Sequence, residues 1–356
     1  MQHVAIIGAG LTGATLAYRL TRAGCAVTVV EAAQPASAAS GGSFGWINAS
    51  FFHSEAHFNL RSAAIAAHHR LDRDLGDTGT IWSGCLWWEE EGAAFDAHCE
   101  DLARFGYQQE HLTRTQIAAR EPGLTAPDRA VFFGQEGAVD AARLTRRLLA
   151  ASDATLWTGC PVTAIETTGA AATGICTAQG AMKVDHIILA AGTASPSLLA
   201  PLGLDLQLLH RPGLTLTTHP LPPLLSHIIA SPALELRQDR QGRLIAPLAA
   251  SHQSDSADIV AGLPADLATT ALRHIQALLP GVTPTVQKIT LANRPVPVDG
   301  LPVVGPTGIP GLSLAVMHSG VTLAPLIAEL LTAELITGKP ADLLATFRPA
   351  RFFAGQ

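Results

Sequence analysis

The chain has 356 residues, 48% of them hydrophobic and 15% charged, with a net charge of −6 and a pI near 6.1. That length and apolar content suit two domains with sizeable cores. The charge balance gives neither a basic face for nucleic acid nor a like-charged tail, so the partners expected are small molecules.

The first element begins almost at once. Val4, Ala5, Ile6 and Ile7 read as a strand buried on both faces, and the run stops at Gly8. Gly8, Gly10 and Gly13 are spaced as GxGxxG. The first allows a tight turn, the second lets a pyrophosphate approach the backbone, and the third lets the next helix pack on the strand. Phosphates can then sit on the free N–H groups at that helix's start. The helix carries apolar Leu16, Ala17 and Leu20, with Thr12 near its beginning and Gly24 past its end. A second strand over residues 26–30 leads into Glu31, whose carboxylate can accept from both hydroxyls of an adenosine ribose and repels a 2′-phosphate. The unit predicts dinucleotide binding and leaves FAD and NAD equally open.

No charged segment precedes the first strand, so no signal peptide is expected. Cys25, Cys85, Cys99, Cys160 and Cys176 are odd in number and lack a CxxC pair. They read as reduced thiols of a cytoplasmic protein rather than disulfides or a zinc site, with Cys85 or Cys99 as a redox sensor the alternative. No metal site is expected. Residues 187–204 and 305–328 lack charged side chains, but Gly, Pro and Ser interrupt both and the second holds His318. Buried core is therefore expected there, and no transmembrane segment.

Downstream, the small-residue stretch 36–42 runs into Ser43, Phe44, Gly45, Trp46, Ile47 and Asn48. A helix is predicted over 55–75, where His53, His68 and His69 read as surface or packing residues, and a strand over 81–89 containing Trp82, Trp87 and Trp88. Residues 95–121 read as helical up to a break at Pro122 and Gly123. Then come an amphipathic helix over 139–151, strands at 155–157 and 161–166, a meander holding Gly169, Gly174 and Gly180, and a buried strand over 184–189. From about 206 alternating strands take over: 214–218, then 233–237 pairing with 243–246 around a turn at 239–242. A helix over 264–279, strands at 286–291, 303–304 and 312–316, and a helix over 324–336 complete the order. A nucleotide-type core is thus visited three times, with antiparallel sheet inserted between visits.

Residues 294–305 read RPxPxDGxPxxG and residues 317–325 read MHSGVTLAP. With the opening βαβ unit, EPGL at 121–124, GAVDAARL at 137–144 and LAAG at 189–192, the chain resembles the FAD-dependent D-amino acid oxidase superfamily, closest to its glycine oxidase and sarcosine oxidase branch. The resemblance runs from residue 4 to about 338. It implies FAD rather than NAD, and an α/β fold: a Rossmann-like FAD-binding domain from residues 1–78, 136–207 and 298–356, and an α+β substrate domain with a mostly antiparallel sheet from 79–135 and 208–297. By position it assigns Gly8, Gly10, Gly13 and Glu31 to the ADP half, and Val162 to the adenine. Ala191 and Gly192 fall to the second crossover, and Ser43, Phe44 and Gly45 to the run past the pyrophosphate. Gly320, Val321 and Thr322 fall to the loop whose N–H groups face the flavin N1/C2=O edge, where a helix start stabilises developing negative charge. No Cys or His matches a covalent attachment point, so noncovalent FAD is expected.

The resemblance further implies oxidation of a C–N bond in a small amino acid or secondary amine, by hydride transfer to flavin N5, giving an imine that water hydrolyses. The amine must be neutral, but no dedicated base is needed. Arg294 is the expected clamp for a substrate carboxylate, since a guanidinium gives two parallel charge-assisted bonds; an interdomain ion pair is its alternative. Where the family commonly has glycine two residues before that arginine, this chain has Ala292. His318 is expected to border the flavin as a catalytic or substrate-contacting group, and His210, Arg211, Trp46 and Asn48 to line the substrate pocket. The electron acceptor is open between O2 and a quinone or carrier protein, and a homo- or hetero-oligomer is possible. A noncatalytic FAD-binding subunit of an amine or opine oxidase-like complex stands as the reading from another class.

Overall fold

In a computed structural model that describes residues 1–248, 259–260 and 262–353, the strand His3–Ile7 lies inside a six-stranded sheet, between Ala26–Val30 and His186–Leu189 and parallel to both. Thr155–Trp157 extends one side, and Leu312–Val316 then Val303–Pro306 the other, the last pair antiparallel. Burial on both faces explains the unbroken apolar run. Val4 and Ile6 pack with the helices Leu11–Arg22, Glu55–Leu75 and Gly320–Thr337. Ala5 and Ile7 pack with the small meander of Val162–Thr168, Ala171–Thr177 and Gly180–Lys183.

A second sheet of eight strands runs in the order Val286–Pro297, Leu208–Thr218, Leu244–Pro247, Glu235–Gln238, Ile228–Ala230, Cys85–Trp87, Arg129–Phe133, Glu110–Thr113. Its pairings are antiparallel except that of Ile228–Ala230 with Cys85–Trp87. The first sheet draws on the chain before 31, between 155 and 189 and after 302; the second draws only on 85–133 and 208–297. The fold is mixed α/β, a doubly covered, mainly parallel sheet joined to a mainly antiparallel one.

Several elements depart from the sequence reading. Residues 95–121 are not one helix: Gly92–Arg104 and Arg114–Arg120 flank the edge strand Glu110–Thr113. Gly106, at φ 74°, turns the chain out of the first helix, and only Leu112 of that strand is buried. The strand predicted over 81–89 contracts to Cys85–Trp87, with a single bridge at Ile81. In the other direction, Leu208–Thr218 and Val286–Pro297 pair over nearly their whole length, so Arg294 sits on a strand, not in a loop. Val286–Pro297 is the sheet edge, which tolerates Pro295 and Pro297.

Gly320–Thr337 is long and apolar enough to cross a membrane by length and composition. Its Leu323, Ala324, Leu326, Ile327 and Leu331 are buried, packed among residues of Leu11–Arg22 and Glu55–Leu75.

Candidate active site

A cavity of about 520 Å³ lies between the two sheets, bounded on one side by the Gly8–Gly10 turn, Glu31 and Val162, and on the other by Gly213, Thr215 and Arg294. Its volume falls in the range of sites that enclose a small-molecule ligand. The turn is built so that only glycine fits. A Cβ on Gly8 would stand 2.6 Å from the Ala190 carbonyl oxygen, and one on Gly13 would stand 2.0 Å from that of Gly8. Gly13 is outside the cavity wall, and its bare backbone lets Leu11–Arg22 seat directly on the turn. Gly10 does face the cavity as the helix N-cap, and the Leu11 N–H donates to Ser40 Oγ at 2.9 Å. Ser40 carried no signal beyond its place in a small-residue stretch.

Glu31 accepts from Ala9 N–H and Ala33 N–H, one on each carboxylate oxygen, both at 2.8 Å. A second lone pair on each oxygen remains for ribose hydroxyls. Ser43, Phe44, Gly45, Ala191 and Gly192 line the middle of the cavity. Gly45 (φ 84°) lies so close to Val139 that a Cβ would be 2.1 Å from its carbonyl oxygen. The buried Arg237, which the sequence reading missed, clamps this bend by donating from Nε to the Phe44 carbonyl at 2.5 Å.

Behind Trp46 lies a buried polar cluster. Glu136 accepts from Trp46 Nε1 (2.9 Å), Tyr107 Oη (2.8 Å) and the Ser50 N–H (3.2 Å). Burial pushes its carboxyl up to about 7, against the opposing pull of those donors. Because the folded chain then holds this proton between pH about 4.5 and 7 where the unfolded chain does not, the stability it contributes is fully present below that window and is lost as pH rises through it. The loss amounts to about 3 kcal/mol. Around Glu136 stand Tyr107 and, by charge, Arg61. Thermal melts of the wild type and Glu136→Gln across pH 4 to 8 check this, and the expected result is a flatter profile for the variant.

Arg61 is fully buried and forms part of the cavity wall. Its Nε donates to the Asn48 carbonyl at 3.1 Å and its Nη2 to Asn48 Oδ1. Asn48 itself is absent from the wall, a correction to its assignment: its amide oxygen is turned to Arg61, and its N–H donates to Thr322 Oγ1 at 3.3 Å. Thr322 in turn donates to the Trp46 carbonyl at 3.3 Å, tying the 46–48 segment to the first turn of Gly320–Thr337. His68 donates from Nε2 to the Val321 carbonyl at 2.9 Å, and burial lowers its pKa to about 4, so it is a neutral buttress of that turn.

Trp46, Arg294, His318, Gly320, Val321 and Thr322 share the remaining wall. Arg294 is 8% exposed and donates from Nε to the Arg211 carbonyl at 3.3 Å. Ala292 occupies the space that glycine leaves at 42: a Cβ on Gly42 would fall 2.6 Å from the Ala292 methyl. His210 and Arg211 are corrections. Neither side chain lines the cavity. Alternation along Leu208–Thr218 turns His210 to the face opposite Gly213 and Thr215, where it is exposed, and Arg211 lies beyond the wall and gives it only a carbonyl. Cys85 and Cys99 have thiols raised by burial, Cys99 to about 11, which removes the thiolate a redox sensor needs. No group of metal-ligating side chains is found among the described residues.

A glycine turn at a helix N-terminus, a carboxylate at the end of the second strand and a cavity reaching a second sheet define a flavin- or nicotinamide-dependent oxidoreductase. The model of the FAD-dependent oxidoreductase family DAO matches residues 3–334, and the chain belongs to that family. It is 29% identical to one of the subunits of the opine oxidase of Agrobacterium tumefaciens (strain Ach5), over 99% of this chain and 98% of that one. It is 28% identical to a glycine oxidase of Pseudomonas aeruginosa, over 98% and 99%. A solved glycine oxidase from Geobacillus kaustophilus shares the fold at a TM-score of 0.85 and 23% identity, with 99% of both chains covered. The chain is an enzyme whose cofactor is FAD, and the close-approach glycines, the acceptor at Glu31 and the cavity that joins them to the second sheet fit it.

Proposed function

We propose that this enzyme oxidises the C–N bond of a small amino acid or secondary amine bearing a carboxylate. The observation that carries the reading is Arg294, a nearly buried guanidinium in the cavity wall opposite the Gly-rich turn, shared with His318 and the start of Gly320–Thr337. A planar fork in a dry wall suits a carboxylate. FAD, when bound, would supply the two-electron acceptor for the hydride that leaves the carbon bearing nitrogen, and water would hydrolyse the resulting imine. The chain's own task is then to hold the substrate and keep its amine neutral. Among the described wall residues the one carboxylate is Glu31, at the Gly-rich turn, whereas Arg294 and Arg61 are cationic. That wall disfavours a bound ammonium and lowers its pKa without a dedicated base.

The relatives support this substrate class, being named for glycine and for opine oxidation. That the opine oxidase relative is named as one subunit of its enzyme also supports a second reading, in which this chain works alongside another polypeptide. Five free cysteines are consistent with a cytoplasmic setting. The test is anaerobic addition of a panel of amino acids, N-alkyl amino acids and their decarboxylated amines to the FAD-loaded chain. Bleaching of the flavin band by the carboxylate-bearing members alone is expected. Equal bleaching by the decarboxylated amines overturns the carboxylate reading, and no bleaching by any member favours the second reading. Admitting air afterwards separates O2 from a quinone or carrier as acceptor by the speed of reoxidation.

A further inference from the structure

Trp46 shares one wall of the cavity with Arg294 and His318, and packing is only part of what places its ring. Phe44 meets it edge to face, with ring centroids 6.3 Å apart. Its backbone pairs with Ala138, just past Glu136, and that short ribbon brings the Glu136 carboxylate behind the indole. The indole Nε1–H donates to Glu136 Oε2 at 2.9 Å. Glu136 is absent from the cavity wall, so whatever it does to a bound substrate it does through Trp46.

The carboxylate is completely buried and makes no ion pair among the described residues. Three groups donate to it: the indole to Oε2, and the Tyr107 hydroxyl (2.8 Å) and Ser50 N–H (3.2 Å) to Oε1. The charged and titratable neighbours are Tyr107 itself, Arg61 on Glu55–Leu75 and the Cys85 thiol on Cys85–Trp87. This donor set fits the ionised acid, whose oxygens only accept. A proton on Oε2 would point at the indole N–H, another donor; one on Oε1 would require Tyr107 to turn its own proton elsewhere. Protonation therefore gives up one of the three bonds. We infer that Glu136 is a positioning residue for the substrate end of the cavity: its carboxylate holds the Trp46 ring in the wall, and its protonated form loosens that hold. The inference rests on the substrate reading proposed above. Burial places the change near neutrality, at about 7.

Two readouts test it, the first without substrate. The chain has five tryptophans, so loss of one indole N–H signal in the NMR spectrum of Trp46→Phe identifies that of Trp46. In the FAD-loaded wild type this signal should shift with pH about a midpoint near 7, and in Glu136→Gln it should stay in one place. Glutamine keeps the size of the side chain. With its oxygen toward Tyr107 and Ser50, however, its NH2 opposes the indole N–H. At pH 8 Glu136→Gln should therefore raise KM for the best substrate of the amine panel about tenfold, with kcat within about twofold. The same substitution added to Trp46→Phe should cost little more. Should Glu136→Gln fail to fold, Tyr107→Phe decides, because removing one donor from the carboxylate should move the indole midpoint upward. An indole signal indifferent to pH, an unchanged KM, or a KM effect that persists undiminished in the Trp46→Phe background each overturn the inference. If no member of the panel reduces the flavin, the proposed function falls, and the indole signal still decides whether Glu136 positions Trp46.

Discussion

Gly13→Ala is expected to yield protein that retains little or no FAD. The added methyl would sit 2.0 Å from the Gly8 carbonyl oxygen and 3.3 Å from Ile6 Cγ2, and the first of these is backbone that cannot rotate away. Either the helix Leu11–Arg22 lifts off the turn or the turn itself opens, and both outcomes displace the N–H groups we propose to meet the phosphates of FAD. The cost is about 3 kcal/mol, a hundredfold or more in FAD affinity. Gly24→Ala is the control. Its φ of 87° makes alanine strained, but nothing lies within 4 Å of a Cβ there, so about 1 kcal/mol of stability is lost and FAD stays bound. Fluorescence titration of apoprotein with FAD measures both variants, and a Gly13→Ala protein with wild-type affinity would remove the packing role given to this glycine.

The contrast explains which parts of the fold were legible in the sequence. The opening unit was, because its information is local: three glycines, a buried strand and a terminal acid lie within one short stretch. The helix Glu55–Leu75 was legible for the same reason, with Ser54 accepting from the His57 N–H at its start and Gly76 ending it. The pairing of Leu208–Thr218 with Val286–Pro297 was not. Pro295 and Pro297 lie past the strand predicted over 286–291, and only the long-range partner shows that they fall where an edge tolerates them.

The polar cluster was missed in two ways. Arg61 left a signal: Leu60, Ala64, His68 and Leu71 mark the buried stripe of their helix, and an arginine on that stripe is out of place unless something in the interior requires it. Glu136 left none, since its donors Trp46, Ser50 and Tyr107 are far from it in the chain and only folding brings them together. Family position located Arg294 and His318 in the cavity wall but misplaced His210 and Asn48. The face a strand residue presents, and the partner a buried amide finds, depend on register and packing that motif spacing does not encode.

Arg294→Ala is expected to lower kcat/KM for carboxylate-bearing substrates by about 2 to 4 kcal/mol, roughly thirtyfold to a thousandfold, because a desolvated carboxylate is left without its counter-charge. The fold should survive. The strand Val286–Pro297 is held by backbone pairing along Leu208–Thr218. Flavin absorbance and melting temperature should therefore change little, separating a lost clamp from a lost site. Arg294→Lys should recover only part of the loss, since an ammonium keeps the charge but not the two parallel bonds. The pattern across substrates carries the decision. Amines without a carboxylate, already poor, should be no poorer in Arg294→Ala, so the preference for the acid over its decarboxylated analogue should collapse. If instead both fall together, the guanidinium shapes the cavity and the carboxylate is held elsewhere; if neither falls, Arg294 has no part in binding.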